Sequence, residues 1–194
     1  METRKKGIQI YDIVAVGLMA AFVFVATFFF KVEVPSPAGT TMIKLGNGVC
    51  ILAALLLGGW RGGLAAAIGC ALYDLTNPVF APEAYITFIR YFIMAGLCGT
   101  IAHWGGAQGR KTGRNVVAAI VGSYTYSAMY LGTKIGTLML AGSAFRPALI
   151  ACTPNIISSL TNATVGCIFA LLLAPVLRRA LTHTTFGQHV YGNA

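Results

Sequence analysis

Residues 45–75 read LGNGVCILAALLLGGWRGGLAAAIGCALYDL, two short apolar runs separated by a Gly-Gly-Trp-Arg sequence. A transmembrane helix needs roughly 20 residues to cross the hydrocarbon core, and both runs fall short of that length. We therefore expect two short membrane segments that are tilted, locally unwound or re-entrant. Glycine and alanine are dense in the second run, which indicates close packing of that segment against neighbouring helices of a bundle.

The whole chain has the composition of an integral membrane protein. It has 194 residues, of which 57% are hydrophobic and 10% are charged, and its mean hydropathy is +0.75. Such values exclude an ordinary soluble domain. The sequence predicts an all-α fold in one domain, residues 1–194, built as a six-transmembrane-helix bundle. The expected spans are about residues 8–30, 41–57, 62–76, 84–103, 115–141 and 146–177.

The basic residues predict the orientation of this bundle. An even number of spans places both termini on one side, and most Lys and Arg residues fall on that side, including Arg110, Lys111 and Arg178. The opposite loops hold Lys31, Lys44 and Arg146. The positive-inside rule then predicts cytoplasmic termini for this multi-pass membrane protein. The net charge of +9 is explained by topology, and no basic face of a soluble module indicates nucleic-acid binding.

Three charged residues lie inside or at the ends of apolar spans, at similar expected depth: Asp74, Arg90 and Lys134. A charge within the bilayer costs several kcal/mol, so such side chains usually face a cavity or a partner. Polar residues near them follow helical spacing, as in the stripe at positions 155, 158, 159 and 162. Pro154 removes a backbone hydrogen bond beside this stripe, which is common where a membrane helix lines a cavity.

The sequence therefore predicts a substrate-binding site near the outer face. Its candidate residues supply charge, hydrogen bonds and aromatic faces, and they are Asn47, Asp74, Tyr85, Arg90, Tyr126, Tyr130, Lys134, Asn155 and Asn162. The competing interpretation is structural: Asp74 pairs with Arg90, and Ser158 and Ser159 join helices. That pairing leaves Lys134 without an acid, because Glu83 reaches it only if its loop folds over.

Two outer loops are candidate gates. The loop at residues 31–40 contains Pro35 and Pro37, and it is either a lid over the polar layer or a connector. The loop at residues 77–82 carries Phe80, which we expect above the ligand. The five cysteines are scattered through apolar spans without metal-ligand spacing, so we expect buried apolar side chains and no metal site.

Two stretches resemble a known family. The first span contains GLMAA at residues 17–21, and residues 45–75 are similar to the substrate-binding S components of energy-coupling factor (ECF) vitamin transporters, especially the riboflavin-type group. The resemblance implies a membrane protein that captures a vitamin outside and docks on a transmembrane coupling subunit driven by two ABC ATPases. It implies no cofactor and no enzymatic activity, since ATP is used by the partner subunits. It also implies that Gly17 and Ala21 form the docking surface for the coupling subunit.

Other classes fit the sequence less well. An intramembrane enzyme needs a convergent nucleophile and base or a metal set, and the spans contain no such pairing. A small secondary transporter or channel for a polar metabolite remains the alternative to the S-component interpretation.

Overall fold

The computed structural model describes residues 10–182, and over this range the chain is a helical bundle with one short β-hairpin. The elements follow in this order: α1 Ile10–Phe29, β1 Lys31–Val34, β2 Thr41–Lys44, α2 Gly46–Leu57, α3 Gly59–Thr76, α4 Ala84–His103, α5 Thr112–Leu140, α6 Phe145–Ala151 and α7 Thr153–Thr182. Single 3-10 turns occupy Ala81–Glu83 and Trp104–Gly106. Three helical segments are long and apolar enough to cross a membrane, namely Ile10–Phe29, Ala81–Gly106 and Thr153–Leu181.

Helix α2 forms the centre of the bundle. All 12 of its residues are buried, and it packs against α1, α3, α4, α5 and α7. A helix that is apolar on every side is stable when neighbours surround it completely. At about 1.5 Å per residue α2 extends only about 18 Å, which is less than the thickness of the hydrocarbon core. Its N-terminal end therefore leaves space within the bundle, and the hairpin and a polar layer occupy that space.

The predicted helical fold is confirmed, but the hairpin corrects the prediction of a helical span over residues 41–57. Residues Thr41–Lys44 form a strand that pairs antiparallel with Lys31–Val34, and α2 begins at Gly46. The alternating valines of the first strand and the β-branched residues of the second suit an extended ribbon. Asn162 of α7 fixes the second strand, because its side chain accepts from the Lys44 amide at 2.8 Å and donates to the Met42 carbonyl at 2.8 Å.

The predicted sixth span is also not one helix. It is divided into α6 and α7 at Cys152, two residues before Pro154. Pro154 has no amide hydrogen to donate to the carbonyl one turn earlier. That carbonyl, on Ile150, accepts a hydrogen bond from the Thr153 hydroxyl at 2.8 Å instead. The prediction of residues 84–103 for the fourth span agrees with α4, whereas α3 and α5 begin three residues before their predicted starts.

Small residues allow the close helix contacts that the second apolar run predicts. A Cβ atom on Gly62 would lie 2.5 Å from the Cα atom of Ala54 in α2, and one on Gly69 would lie 2.5 Å from the Ala20 carbonyl in α1. Gly58 has a φ of +85°, a conformation that suits glycine at the break between α2 and α3. The five cysteines are buried and free, as expected of apolar side chains.

Candidate ligand-binding site

A polar chamber lies above the N-terminal end of α2, where β2 and the ends of α3, α4, α5 and α7 meet. It contains side chains from all of these elements and from the loop before α4. The lining residues are Thr40, Thr41, Met42, Lys44, Asp74, Phe80, Glu83, Thr87, Arg90, Tyr91, Tyr126, Tyr130, Lys134, Ser159 and Asn162. The structure thus brings six predicted ligand-binding residues and the predicted gate residue Phe80 to one place.

The chamber is small. Its volume is about 50 Å³, enough for a few water molecules at roughly 10–15 Å³ each but not for a vitamin. A second cavity of about 400 Å³, which we call the vestibule, lies beside it and is lined in part by Ala38, Ile86 and Leu138. Glu83, Arg90 and Lys134 line both cavities. These three charged side chains therefore form the boundary between the chamber and the vestibule.

Glu83 bridges the two basic residues of this boundary. One carboxylate oxygen accepts from Lys134 Nζ at 2.6 Å, and the other lies 3.9 Å from an Arg90 nitrogen. The 3-10 turn at Ala81–Glu83 brings the carboxylate over the chamber. The competing interpretation, in which Asp74 pairs with Arg90, is therefore wrong, and the loop that carries Glu83 does fold over to reach Lys134. We call this three-residue contact the Glu83 bridge.

Arg90 has further partners on α5. Its guanidinium donates to the Thr133 hydroxyl and lies 5.6 Å from the centre of the Tyr130 ring. Its Nε atom is buried without a hydrogen-bond partner among the described residues. A buried donor without an acceptor is destabilising by about 1–3 kcal/mol. This donor can therefore strengthen the binding of a ligand that presents an acceptor to it.

Lys44 is the main charged residue that the sequence did not predict for the site. We assigned it to an outer loop, but it is 8% exposed and lines the chamber. Its ammonium lies 5.1 Å from the Tyr91 ring centre and 5.7 Å from the Tyr73 ring centre. Among residues 10–182 no carboxylate lies within 4.0 Å of it, and Asp74 acts on it from farther away. Asp74 itself interacts with the Thr87 side chain.

Three tyrosines form one wall of the chamber. Tyr126 and Tyr130 are stacked with ring centres 6.1 Å apart and an angle of 4° between their planes. They are neighbours because they lie four residues apart on α5. Tyr91 adds a third ring, 4.6 Å from that of Tyr126. Its position four residues after Thr87, on the polar face of α4, is the sequence signal that would have identified it.

The polar stripe of α7 faces the inside of the bundle, as predicted, but its asparagines form hydrogen bonds with other residues of this chain. Asn155 is fully buried, donates to the Tyr130 hydroxyl at 2.9 Å, and accepts a hydrogen bond from Ser36 of the hairpin loop. Asn155 is not a chamber residue. Ser159 and Ser127 are hydrogen-bonded at 2.9 Å between α7 and α5, which agrees with the structural interpretation of that serine.

The remaining predicted residues lie in different places. Tyr85 is 68% exposed and lies outside the chamber. Asn47 lies beneath the chamber and accepts from the Tyr91 hydroxyl at 2.6 Å. Pro35 and Pro37 are exposed in the hairpin loop, while Ser36 between them donates to the Ala151 carbonyl of α6 at 3.2 Å and to Asn155 of α7. We therefore remove Tyr85 from the site and regard Asn47 as a support for the tyrosine wall.

The predicted docking residues are accessible. Gly17 and Ala21 are exposed on α1, and a Cβ atom added to Gly17 would meet no atom within 4 Å. They lie one helical turn apart, so they share one face of the helix. Ala15, Ala20 and Val23, which lie on other sides of the helix, are buried. The structure thus leaves open the face of α1 that carries Gly17 and Ala21.

Comparison with known families adds independent information. The model of the family described as ECF-type riboflavin transporter, S component, matches residues 7–179, which is most of the 194-residue chain. A search among curated proteins gave no match. S components are substrate-binding subunits of transporters and are not enzymes. The chain belongs to the family of S components of ECF-type riboflavin transporters.

Proposed function

We propose that this protein is the high-affinity binding subunit of an ECF-type importer and that the chamber holds its vitamin, with riboflavin as the first candidate. The observation that carries the proposal is the convergence of Lys44, Arg90 and the tyrosine wall above α2. A cavity with aromatic faces and a few convergent polar groups is typical of small-molecule binding. The termini would be cytoplasmic and the chamber would face the outside of a prokaryotic cell.

The chamber suits a flat heterocycle with hydrogen-bond acceptors. Tyr126 and Tyr130 offer ring faces for stacking. Lys44 and Arg90 offer donors, and the Arg90 Nε atom has no acceptor of its own. The ring system of riboflavin presents carbonyl oxygens to donors, and its hydroxylated side chain suits a polar lining such as Thr41 and Thr87.

Capture requires the chamber to widen. A vitamin does not fit into about 50 Å³, so the elements that cover the chamber must separate before the ligand enters. We propose that the ligand passes through the vestibule and that the Glu83 bridge breaks as it does so. The hairpin loop with Pro35 and Pro37, and the loop with Phe80, would then close over the bound ligand.

Binding is tested directly with the full chain in lipid nanodiscs. Riboflavin fluorescence is titrated with protein, and small molecules that co-purify are identified by mass spectrometry. The proposal predicts saturable binding of one riboflavin, or of another heterocyclic vitamin, per chain. Absence of saturable binding for riboflavin and for every co-purified heterocycle would overturn it.

Delivery would occur by docking to a transmembrane coupling subunit with two ABC ATPases. We propose that the open Gly17 and Ala21 face of α1 makes this contact, since small residues let another helix approach closely. Gly17→Leu with Ala21→Leu should abolish ATP-dependent uptake and leave ligand binding intact. Gly132 and Gly136 provide the matched control, because they are also four residues apart and unobstructed. Uptake by proteoliposomes that lack an ATPase module would instead favour a secondary transporter or channel.

A further inference from the structure

A third cavity, distinct from the chamber and the vestibule, lies at the opposite end of the bundle from the chamber. It has a volume of about 320 Å³ and lies between the start of α5 and the last turns of α7. Along α5, its residue Asn115 is separated from Tyr130 of the chamber by about 22 Å at the usual helical rise. Among the residues that the structure describes, three arginines and no acidic residue line it: Arg110, Arg178 and Arg179. We call it the basic cavity.

Arg178 has a structural part in this cavity. It donates to the carbonyl oxygens of Gly109 and Leu55, the second at 2.7 Å. These bonds fix the connector before α5 against the end of α2. Arg110 is exposed and also lines the basic cavity. Its charge can therefore meet a molecule that enters.

Asn115 supplies an acceptor that the protein does not use. Its side chain is 8% exposed, and its amide nitrogen donates to the Gly109 carbonyl at 2.6 Å. The Oδ1 atom is buried without a hydrogen-bond partner among the described residues. An unpaired buried acceptor is unfavourable, so this position calls for a hydroxyl or amide donor from a bound molecule. Positive charge at a cytoplasmic end explains the arginines, but it does not explain this acceptor.

An apolar side completes the basic cavity. Leu171 and Pro175 line it from α7, which is one of the helices that can cross a membrane. The two residues are four apart, so they extend the cavity along the helix toward the hydrocarbon. The cavity therefore combines positive charge, an amide oxygen that can accept a hydrogen bond from a hydroxyl group, and an apolar wall.

We propose that the basic cavity binds the headgroup of an anionic phospholipid of the phosphoglycerol type. The phosphodiester would contact Arg110 and Arg179, a headgroup hydroxyl would donate to Asn115 Oδ1, and the acyl side would lie on Leu171 and Pro175. Basic pockets between membrane helices on the cytoplasmic side commonly hold anionic headgroups. A lipid bound here would hold the start of α5 to the end of α7.

Lipid retention by the full chain tests the proposal. Native mass spectrometry compares phosphatidylglycerol with phosphatidylcholine, with phosphatidylmethanol, which has the same charge but no headgroup hydroxyl, and with free glycerol phosphate. We expect preferential retention of phosphatidylglycerol, weaker retention of phosphatidylmethanol and no retention of glycerol phosphate. Arg110→Gln should weaken phosphatidylglycerol binding by about fivefold, the usual contribution of one basic residue near a lipid surface.

Lys111→Gln is the matched control, because Lys111 is exposed, carries the same charge and does not line the cavity. It should change lipid retention by less than twofold. Equal losses in the two variants would overturn the proposal in favour of diffuse surface charge. Retention of glycerol phosphate as strong as that of the lipid, or equal retention of phosphatidylcholine, would also overturn it.

Discussion

The middle of the bundle and its chamber end differ in the kinds of side chain that they contain. Every residue of α2 is buried, and small residues of the neighbouring helices allow close contacts. At the chamber end, β2, the 3-10 turn before α4 and the helices α3, α4 and α5 carry five charged residues around a cavity, namely Lys44, Asp74, Glu83, Arg90 and Lys134. Close-packed interiors resist deformation, whereas a partly exposed ion bridge can open at a small cost in free energy. We infer that the rigid middle of the bundle supports a chamber end that can rearrange around a ligand.

The largest expected effect is the loss of riboflavin affinity when a basic residue of the chamber is replaced, compared with a basic residue outside it. Arg90→Ala should weaken riboflavin binding about 10- to 100-fold, because a hydrogen bond to a charged group is worth about 1.5–3 kcal/mol. Arg146→Ala removes the same charge from an exposed position outside the chamber and should change affinity by less than twofold. Fluorescence titration measures both. Similar losses in the two variants would mean that general charge, and not the chamber, binds the ligand.

The next largest effect concerns the stability of the protein, because it depends on close packing in the middle of the bundle. Gly62→Ala places a methyl group 2.5 Å from Ala54, and overpacking of this kind usually costs about 1–3 kcal/mol. Gly132→Ala meets no atom within 4 Å and should be neutral or stabilising, since alanine favours helix by about 1 kcal/mol over glycine. Thermal unfolding in detergent compares the two proteins. Equal melting temperatures would show that the middle of the bundle is less tightly packed than we describe.

The Glu83 bridge should affect rates more than affinity. Glu83→Gln removes the carboxylate that holds Lys134 and Arg90, an interaction of about 0.2–1 kcal/mol for a partly exposed pair. Ligand association should therefore accelerate by up to about fivefold. Stopped-flow fluorescence records the association rate. Slower association would contradict the proposal that the bridge breaks when the ligand enters.

The hairpin should show the smallest effect, and it depends on pH. Lys31 Nζ lies 2.8 Å from the Glu33 carboxylate, and this hydrogen bond lowers the pKa of Glu33. A lowered pKa stabilises the folded state above the pKa of the unfolded chain, and the contribution disappears as the pH falls through the folded value.

The melting temperature of the wild type should therefore exceed that of Glu33→Gln slightly at neutral pH. The difference should shrink as the pH falls below about 4.3, the ordinary pKa of a glutamate, and vanish once the pH lies below the lowered pKa of Glu33. A difference at low pH as large as that at neutral pH would show that the carboxylate charge is not its cause.

Local patterns in the sequence identified much of the fold and site. Helical spacing placed Tyr126, Tyr130 and Lys134 on one face of α5, and the structure brings all three to the chamber. Counting depth from the loops placed Arg90 near Lys134, and both contact Glu83. These predictions succeeded because they depend on one helix and its direction.

The missed features depend on contacts between distant segments. Lys44 enters the chamber because strand pairing with residues 31–34 and hydrogen bonds between β2 and the Asn162 side chain hold its strand inside the bundle. Because residues 41–57 are mostly apolar, the sequence predicted a helix over that whole segment. Glu83 reaches Lys134 because a 3-10 turn folds its loop inward. Apolar composition and helical spacing report neither of these arrangements.

A structure of the riboflavin-saturated protein would show whether the chamber holds the ligand. We expect the ring of the ligand against Tyr126 and Tyr130, its oxygens near Lys44 and Arg90, and a separation of Glu83 from Lys134 well beyond 2.6 Å. A ligand bound elsewhere on the bundle, with Glu83 still bound to Lys134, would show that the chamber is not the binding site.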